Sequence, residues 1–290
     1  MKRREMLIST GAALLGLSAF PLRWAAAAEK KFKILYFTRS AGFEHSVVHR
    51  PGGQLSHSEK IMVEAGQKYG VEVVCSKDGR VFDGDLDQFD AFAFYTSGDL
   101  TQPLPADAKR DEPPMSKKGL ERLLAAIKGG KGFVGFHAAT DSFHSQGDQL
   151  TPYVKMIGGE FVTHGRQQKA TMKVASPEFP GMDGIKDFEL LEEWYALKNF
   201  APDLHVILVQ ETAGMTDECY QRPPFPATWA RMHGKGRVFY TSLGHREDIW
   251  TNPIFQQIVV GGFSWVLGET QFDPKPNIAQ VTPKAGQMKN

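Results

Sequence analysis

Gly132-Phe133-Val134-Gly135-Phe136-His137-Ala138-Ala139 is the stretch that decides how this chain folds. Its first five residues are all apolar or glycine and too few for a helix, which describes a strand buried on both faces. The helix before it is equally legible. Ser116 supplies a cap, Leu120, Leu123, Leu124 and Ile127 line one face, and Gly129-Gly130 end it. After the strand, the pattern Gly-x-His-x-Ala outlines a sharp strand-to-turn elbow of the kind that presents a nucleophile, with His137 where Ser or Cys would stand. A histidine there serves as acid, base or metal ligand.

Upstream, the same grammar repeats. Phe32–Thr38 reads as a strand, and residues 39–54 as a loop rich in Gly and His. A helix runs from Ser56 to Tyr69, with Ile61, Met62, Ala65 and Tyr69 on one face and Gly70 as its stop. Val71–Cys75 and Asp90–Tyr95 are further strands, and the Pro- and charge-rich residues 99–115 are a loop. Strand, helix, strand, strand, helix, strand predicts an α/β fold with a doubly wound, mostly parallel sheet. The strands beginning near Phe32, Val71, Ala91 and Gly132 are expected to run parallel. Such sheets bind ligands outside the carboxyl ends of their strands.

Downstream the pattern changes to β-rich additions. Ala170–Val174 alternates like a half-exposed strand, and Leu204–Val209 is a buried one, followed by a polar loop from Glu211 to Pro226. Ala227–Ala230 and Arg237–Thr241 form a hairpin across His233-Gly234-Lys235-Gly236. A last helix spans about 252–267, and the polar, Pro-dotted residues 270–290 read as a poorly ordered tail.

The chain has 290 residues, 41% hydrophobic and 23% charged, which places it among soluble globular proteins and excludes disordered, collagen-like and polytopic membrane chains. Basic and acidic residues nearly balance, 34 against 33. Without the basic leader the balance turns slightly negative, so nucleic acid is not an expected partner. That leader, residues 1–28, has Arg3-Arg4 ahead of a mildly apolar stretch and ends in Ala25-Ala26-Ala27-Ala28. It resembles a cleavable twin-arginine export signal, too short in its apolar part to remain as a membrane span. The expected product is a periplasmic or secreted domain over 29–269. Cys75 and Cys219 make no disulfide framework.

Of nine histidines, three follow strands. His45 comes after the first, His137 ends the fourth, and His245 follows Val238–Thr241 in Ser242-Leu243-Gly244-His245. Parallel strands would bring these rings to one edge. His164 follows Gly158-Gly159-Glu160-Phe161 and joins the candidates, while His49, His57, His144, His205 and His233 read as structural or solvated.

Taken in order, Gly42-Phe43-Glu44-His45, Gly135-Phe136-His137-Ala138-Ala139-Thr140-Asp141, Tyr153, Gly158-Gly159-Glu160-Phe161 with His164, Glu192-Glu193-Trp194-Tyr195, Pro226-Ala227-Thr228-Trp229 and Gly234–Tyr240 with Gly244-His245 resemble the ThuA-like (trehalose utilisation) family. The resemblance covers residues 32–268. It implies the flavodoxin-like fold of class I glutamine amidotransferases, without their cysteine. Two motifs differ mildly: Glu44 stands where the family commonly has Arg, and Glu192-Glu193 where it has Asp-Glu. The resemblance implies a role in sugar catabolism, around disaccharides such as trehalose and their 3-keto forms. It marks His45, His137, His164, Glu193, Tyr195 and His245 as site residues.

Two chemistries fit these residues. Glu193 and a histidine form an acid/base pair able to start elimination, isomerisation or hydrolysis on a 3-keto glycoside, with Tyr195, Trp229 and Asp141 contacting the sugar. Alternatively, His45, His137 and His245 with Glu193 hold a divalent ion such as zinc. The rival class is a non-catalytic periplasmic sugar-binding protein that stacks sugars on Trp194, Tyr195, Trp229 and Trp250. Four clustered histidines exceed what binding alone requires, so an enzyme is favoured.

Overall fold

The computed structural model describes residues 32–288 apart from 106, 107 and 109. The proposed export signal lies outside the described residues. Eleven strands are present among them: β1 (Phe32–Phe37), β2 (Val71–Ser76), β3 (Ala91–Phe94), β4 (Gly132–Phe136), β5 (Glu160–His164), β6 (Gln168–Val174), β7 (Phe188–Glu192), β8 (Tyr195–Lys198), β9 (His205–Gln210), β10 (Phe225–His233) and β11 (Gly236–Thr241). The helices are α1 (His57–Tyr69), α2 (Lys117–Gly129), α3 (Pro152–Ile157), α4 (Glu247–Trp250), α5 (Pro253–Val266) and α6 (Ile278–Val281).

Nine strands form one mixed sheet in the order β2-β1-β3-β4-β11-β10-β9-β6-β7. The first five are mutually parallel. The remaining pairings, from β11–β10 outward, are antiparallel. The expected parallel alignment of the strands at Phe32, Val71, Ala91 and Gly132 holds. From β1 the chain steps outward to β2, and from β3 it steps the other way to β4. Right-handed crossovers therefore place α1 and α2 on opposite faces. The contacts agree, α1 meeting α4, and α2 meeting α3. The strand order reverses between β1 and β3, which opens a crevice at their carboxyl ends.

Local chemistry explains the ends of these elements. Ser56 and Glu59 make a reciprocal capping box on α1, and Gly70 ends it at φ 70°. The Ser116 hydroxyl accepts from Gly119 N at the start of α2. β3 and β4 are buried throughout, as covered parallel strands must be, whereas β6 and β7 alternate buried and exposed positions.

Three findings depart from expectation. The β-rich second half is no appendage: β10, β9, β6 and β7 continue the parallel sheet directly. Residues 270–288 are packed rather than loose. Asn277 donates to Val206 O and accepts from Val206 N, His205 Nδ1 lies 2.7 Å from Lys275 O, and Ala285 is buried. β5 and β8 form a separate antiparallel ribbon that hydrophobic patterning does not announce. Cys75 and Cys219 are both free. No helix among the described residues is long and apolar enough to cross a membrane.

A histidine and glutamate centre at the sheet edge

β4 ends at Phe136, and His137 follows at once with a φ of 36°, in the left-handed region that non-glycine residues avoid. The strand-to-turn elbow read from the sequence is thus present. It is held by two hydroxyls, Tyr240 Oη and Thr140 Oγ1, which donate to His137 O at 2.8 and 3.2 Å. The ring is fully buried, and its Nδ1 lies 2.8 Å from Ser242 O. A carbonyl only accepts, so Nδ1 carries the proton and the Nε2 lone pair is free to face the centre.

β11 delivers His245 through Gly244, whose φ of 114° suits glycine. The Glu192 carboxylate accepts from Gly244 N and His245 N at 3.1 and 3.2 Å and so fixes this turn. His45 arrives in the loop after β1 and is buried. Glu193, in the link between β7 and β8, comes from the antiparallel half. Its Oε1 lies 3.1 Å from His245 Nδ1, 3.4 Å from His137 Nε2 and 4.0 Å from His45 Nε2. One donor atom from each of His45, His137, Glu193 and His245 fits within 4.8 Å of the others.

Tyr195 closes the floor. Its ring lies 3.9 Å from that of His137 and its Oη 3.3 Å from His45 Nε2. Burial, with nearby Asp141 and Glu193, keeps this phenol protonated far above its usual range. His164, at the end of β5, is 47% exposed, with Nδ1 3.3 Å from Glu193 Oε2. It faces solvent on one side and the centre on the other.

The charges are sorted. Burial, and then the neighbouring His137 and His245, take the His45 imidazole down to about 2, so it is neutral. Burial likewise lowers His137, against the opposing pull of Glu193. For Glu193, burial pushes the carboxyl up, but the His137 and His245 rings outweigh it and hold it ionised. Neutral imidazoles beside a carboxylate are the protonation states that metal ligation requires. The donors fit an ion in another respect: His137 Nε2 and His245 Nδ1 are buried without a hydrogen-bond partner. Three imidazoles and a carboxylate suit zinc better than the all-oxygen ions.

Of the candidate residues, His45, His137, His164, Glu193, Tyr195 and His245 come together as expected. Two do not reach the centre. Trp229 is buried in the core, donating from Nε1 to Ile157 O at 2.8 Å with its ring 4.3 Å from that of Tyr240. An inward position on a central strand, rather than a place at the strand end, explains the correction. Asp141 is turned to His144, at 2.6 Å from Nε2, and that ring also meets Glu160 at 3.2 Å. Trp194 and Trp250 are buried as well, donating to Gln168 O and Gly244 O. Glu192 is a positioning residue, and burial pushes its carboxyl up to about 7. Tyr95, whose buried Oη has no partner, lines the centre at 5.4 Å from the His45 ring. Its place directly after β3 is the signal that could have found it.

Fold and centre together define a class: an α/β protein with a histidine and glutamate centre outside the carboxyl ends of parallel strands. Within it, this chain belongs to the ThuA family, described as trehalose utilisation, whose model matches residues 33–266. Similar solved structures include a ThuA-like protein from Bacteroides uniformis ATCC 8492, at 18% identity and a TM-score of 0.63, covering 88% of this chain and 99% of that one. Another is a ThuA-like protein from Parabacteroides merdae ATCC 43184, at 17% identity and a TM-score of 0.58, covering 84% and 93%. A β-galactosidase from Bacillus circulans sp. alkalophilus shares the fold over 82% of this chain and 31% of its own, at 10% identity and a TM-score of 0.50. At these identities the likeness is one of fold. No curated protein matches the chain in sequence.

Proposed function

We propose that this chain is an enzyme of carbohydrate catabolism that acts on a disaccharide or its 3-keto form through a divalent metal centre. The observation that carries the reading is the convergence of His45, His137, His245 and Glu193, whose donor atoms all lie within 4.8 Å of one another. These four residues would hold the ion. A zinc-class ion supplies Lewis acidity toward a sugar carbonyl or hydroxyl oxygen. The chain's own residues do the rest. Ser242 O fixes the tautomer of His137, and Glu192 sets the turn that carries His245. Tyr195 offers an O–H donor. His164, half in solvent, exchanges a proton with the substrate, because it is the imidazole of the group most open to water.

The family description supports the carbohydrate setting. The strand order of the parallel half supports a flavodoxin-like sheet, and His137 at the elbow speaks against amidotransferase chemistry. Export by a twin-arginine signal belongs to the same proposal and rests on Arg3-Arg4 and Ala25–Ala28. A purely sugar-binding role is less well supported, since Trp194, Tyr195, Trp229 and Trp250 are all buried.

The test is metal analysis joined to turnover. The purified chain should carry about one equivalent of zinc, and chelation should abolish turnover of a 3-keto-disaccharide. Full turnover by the chelated protein would overturn the metal reading in favour of Glu193 and His164 acting alone.

A further inference from the structure

We propose that Phe43 is the platform on which the apolar face of a pyranose ring stacks as it meets the centre; this rests on the carbohydrate reading above. Among the described residues Phe43 is the exposed large aromatic, at 69%, and its ring stands edge-on to His45 at 5.0 Å. The other aromatic rings that contact the histidines are more covered: Tyr95 and Tyr195 are buried, and Phe161 is half-buried with its ring against Tyr195 at 4.1 Å. A sugar cannot stack on a buried ring without dismantling the core. It can stack on Phe43 without moving anything.

Softness of the loop does not explain this exposure. Ala41 N and Gly42 N both donate to Ser97 O, at 2.8 and 3.0 Å, and Ser97 Oγ donates to Phe43 O at 2.6 Å. Gly98, at φ 75°, packs so close that a Cβ there would stand 2.5 Å from Gly42 N. On the other side, Glu44 is gripped by Lys77 at 2.9 Å, Arg110 at 2.6 Å and His49 at 2.9 Å. The main chain is therefore fixed before and after the ring. A phenyl group held rigidly in water beside a polar centre is preorganised for a ligand that has an apolar face and polar edges. The C–H face of a pyranose, ringed by hydroxyls, has that chemistry.

The experiment is calorimetric titration of trehalose, 3-keto-trehalose and methyl α-glucopyranoside into the zinc-supplemented chain, its Phe43→Ala form and its Phe43→Trp form. Phe43→Ala should weaken sugar binding about 10- to 100-fold, with melting temperature and zinc content unchanged, while Phe43→Trp stays within about threefold of the parent. Equal affinity of the parent and Phe43→Ala would overturn the platform and leave the carbohydrate reading standing. Loss of zinc in Phe43→Ala would also overturn it, since the ring would then act only through His45. A parent chain that binds none of the three sugars sinks the carbohydrate reading, and the platform with it.

Discussion

The two halves of the sheet contribute to the centre in different ways. The parallel half supplies His45, His137 and His245 from strand ends, the first two buried and the third partly exposed. The antiparallel half supplies Glu193 from the link between β7 and β8, and the small β5–β8 ribbon adds His164 and Tyr195. The three clustered imidazoles thus sit on the rigid, parallel side, and the carboxylate and the most exposed ring, His164, sit on the other. Their buried carboxylates differ in the same sense. Glu59, beneath the parallel half, is matched by Arg50 and held below the usual range; burial pushes it up, but Arg50, Thr38 and the Ser56 N–H outweigh that. Glu192, in the antiparallel half, has only backbone donors and rises to about 7.

The largest expected effect breaks the rigid side directly. His137→Ala should lower turnover on the order of 10³-fold or more and remove bound zinc, because groups that act as a unit fail together. Activity within tenfold of the parent, measured alongside zinc content, would show that the parallel half is scaffold only.

Next comes the Arg50–Glu59 pair. Glu59→Gln should destabilise the chain by about 3–5 kcal/mol at neutral pH, since it leaves a partly buried guanidinium unmatched. The sign follows from the lowered folded-state value. The stabilisation is present above the ordinary 4.5 and is lost as pH falls through the folded value. Urea melts of parent and variant should therefore converge in acid, and a gap that widens there would refute the pairing.

Glu192 sharpens the contrast. Glu192→Gln keeps an acceptor for the N–H groups of Gly244 and His245 but turns its NH2 toward the Glu193 N–H, and should weaken zinc binding less than about tenfold. Glu192→Ala, which frees the N–H groups of Gly244 and His245, should weaken zinc binding about 10- to 100-fold. Competition titration with a chromogenic chelator measures both.

The smallest effect belongs to the outer edge. Leu191→Lys, on the exposed face of the edge strand β7, should change stability by less than about 0.5 kcal/mol and leave turnover unaltered. A larger loss in a thermal melt would mean that this edge is covered by something more than water.

The same division governs what could be read from the sequence. β1 to β4, α1, α2 and the hairpin of β10 and β11 were legible because covered strands are apolar runs and their helices carry Ser caps and Gly stops. β5, β7, β8 and the six-residue α3 were not. Glu160-Phe161-Val162-Thr163-His164 exposes most of one ribbon, and Glu192-Glu193-Trp194 buries two acids where patterning expects a polar loop. The tail reads as disordered by composition, yet it is pinned through Asn277 and His205, contacts that composition does not encode. His45, His137 and His245 were found from their places after strands. His164 was found from its glycine-flanked segment, whereas Glu193 and Tyr195 needed the family resemblance. Phe43 escaped notice because no pattern within the chain says that a phenylalanine will be left in water.

β11 is the last strand along the chain among the described residues, and it lies in the middle of the sheet, between β4 and β10. During synthesis, everything from β1 to β10 must therefore emerge while the inner edges of both half-sheets lack their neighbour. Those edges belong to strands that are almost wholly buried in the finished molecule, the kind most prone to pair with the wrong chain. Closure waits for six residues near the end, Gly236–Thr241. His245 lies four residues beyond Thr241, so the centre is completed as the sheet is sealed. An ion held by all four donors, as proposed, would then be retained only by a chain that has finished folding, and metal content would be a readout of correct assembly.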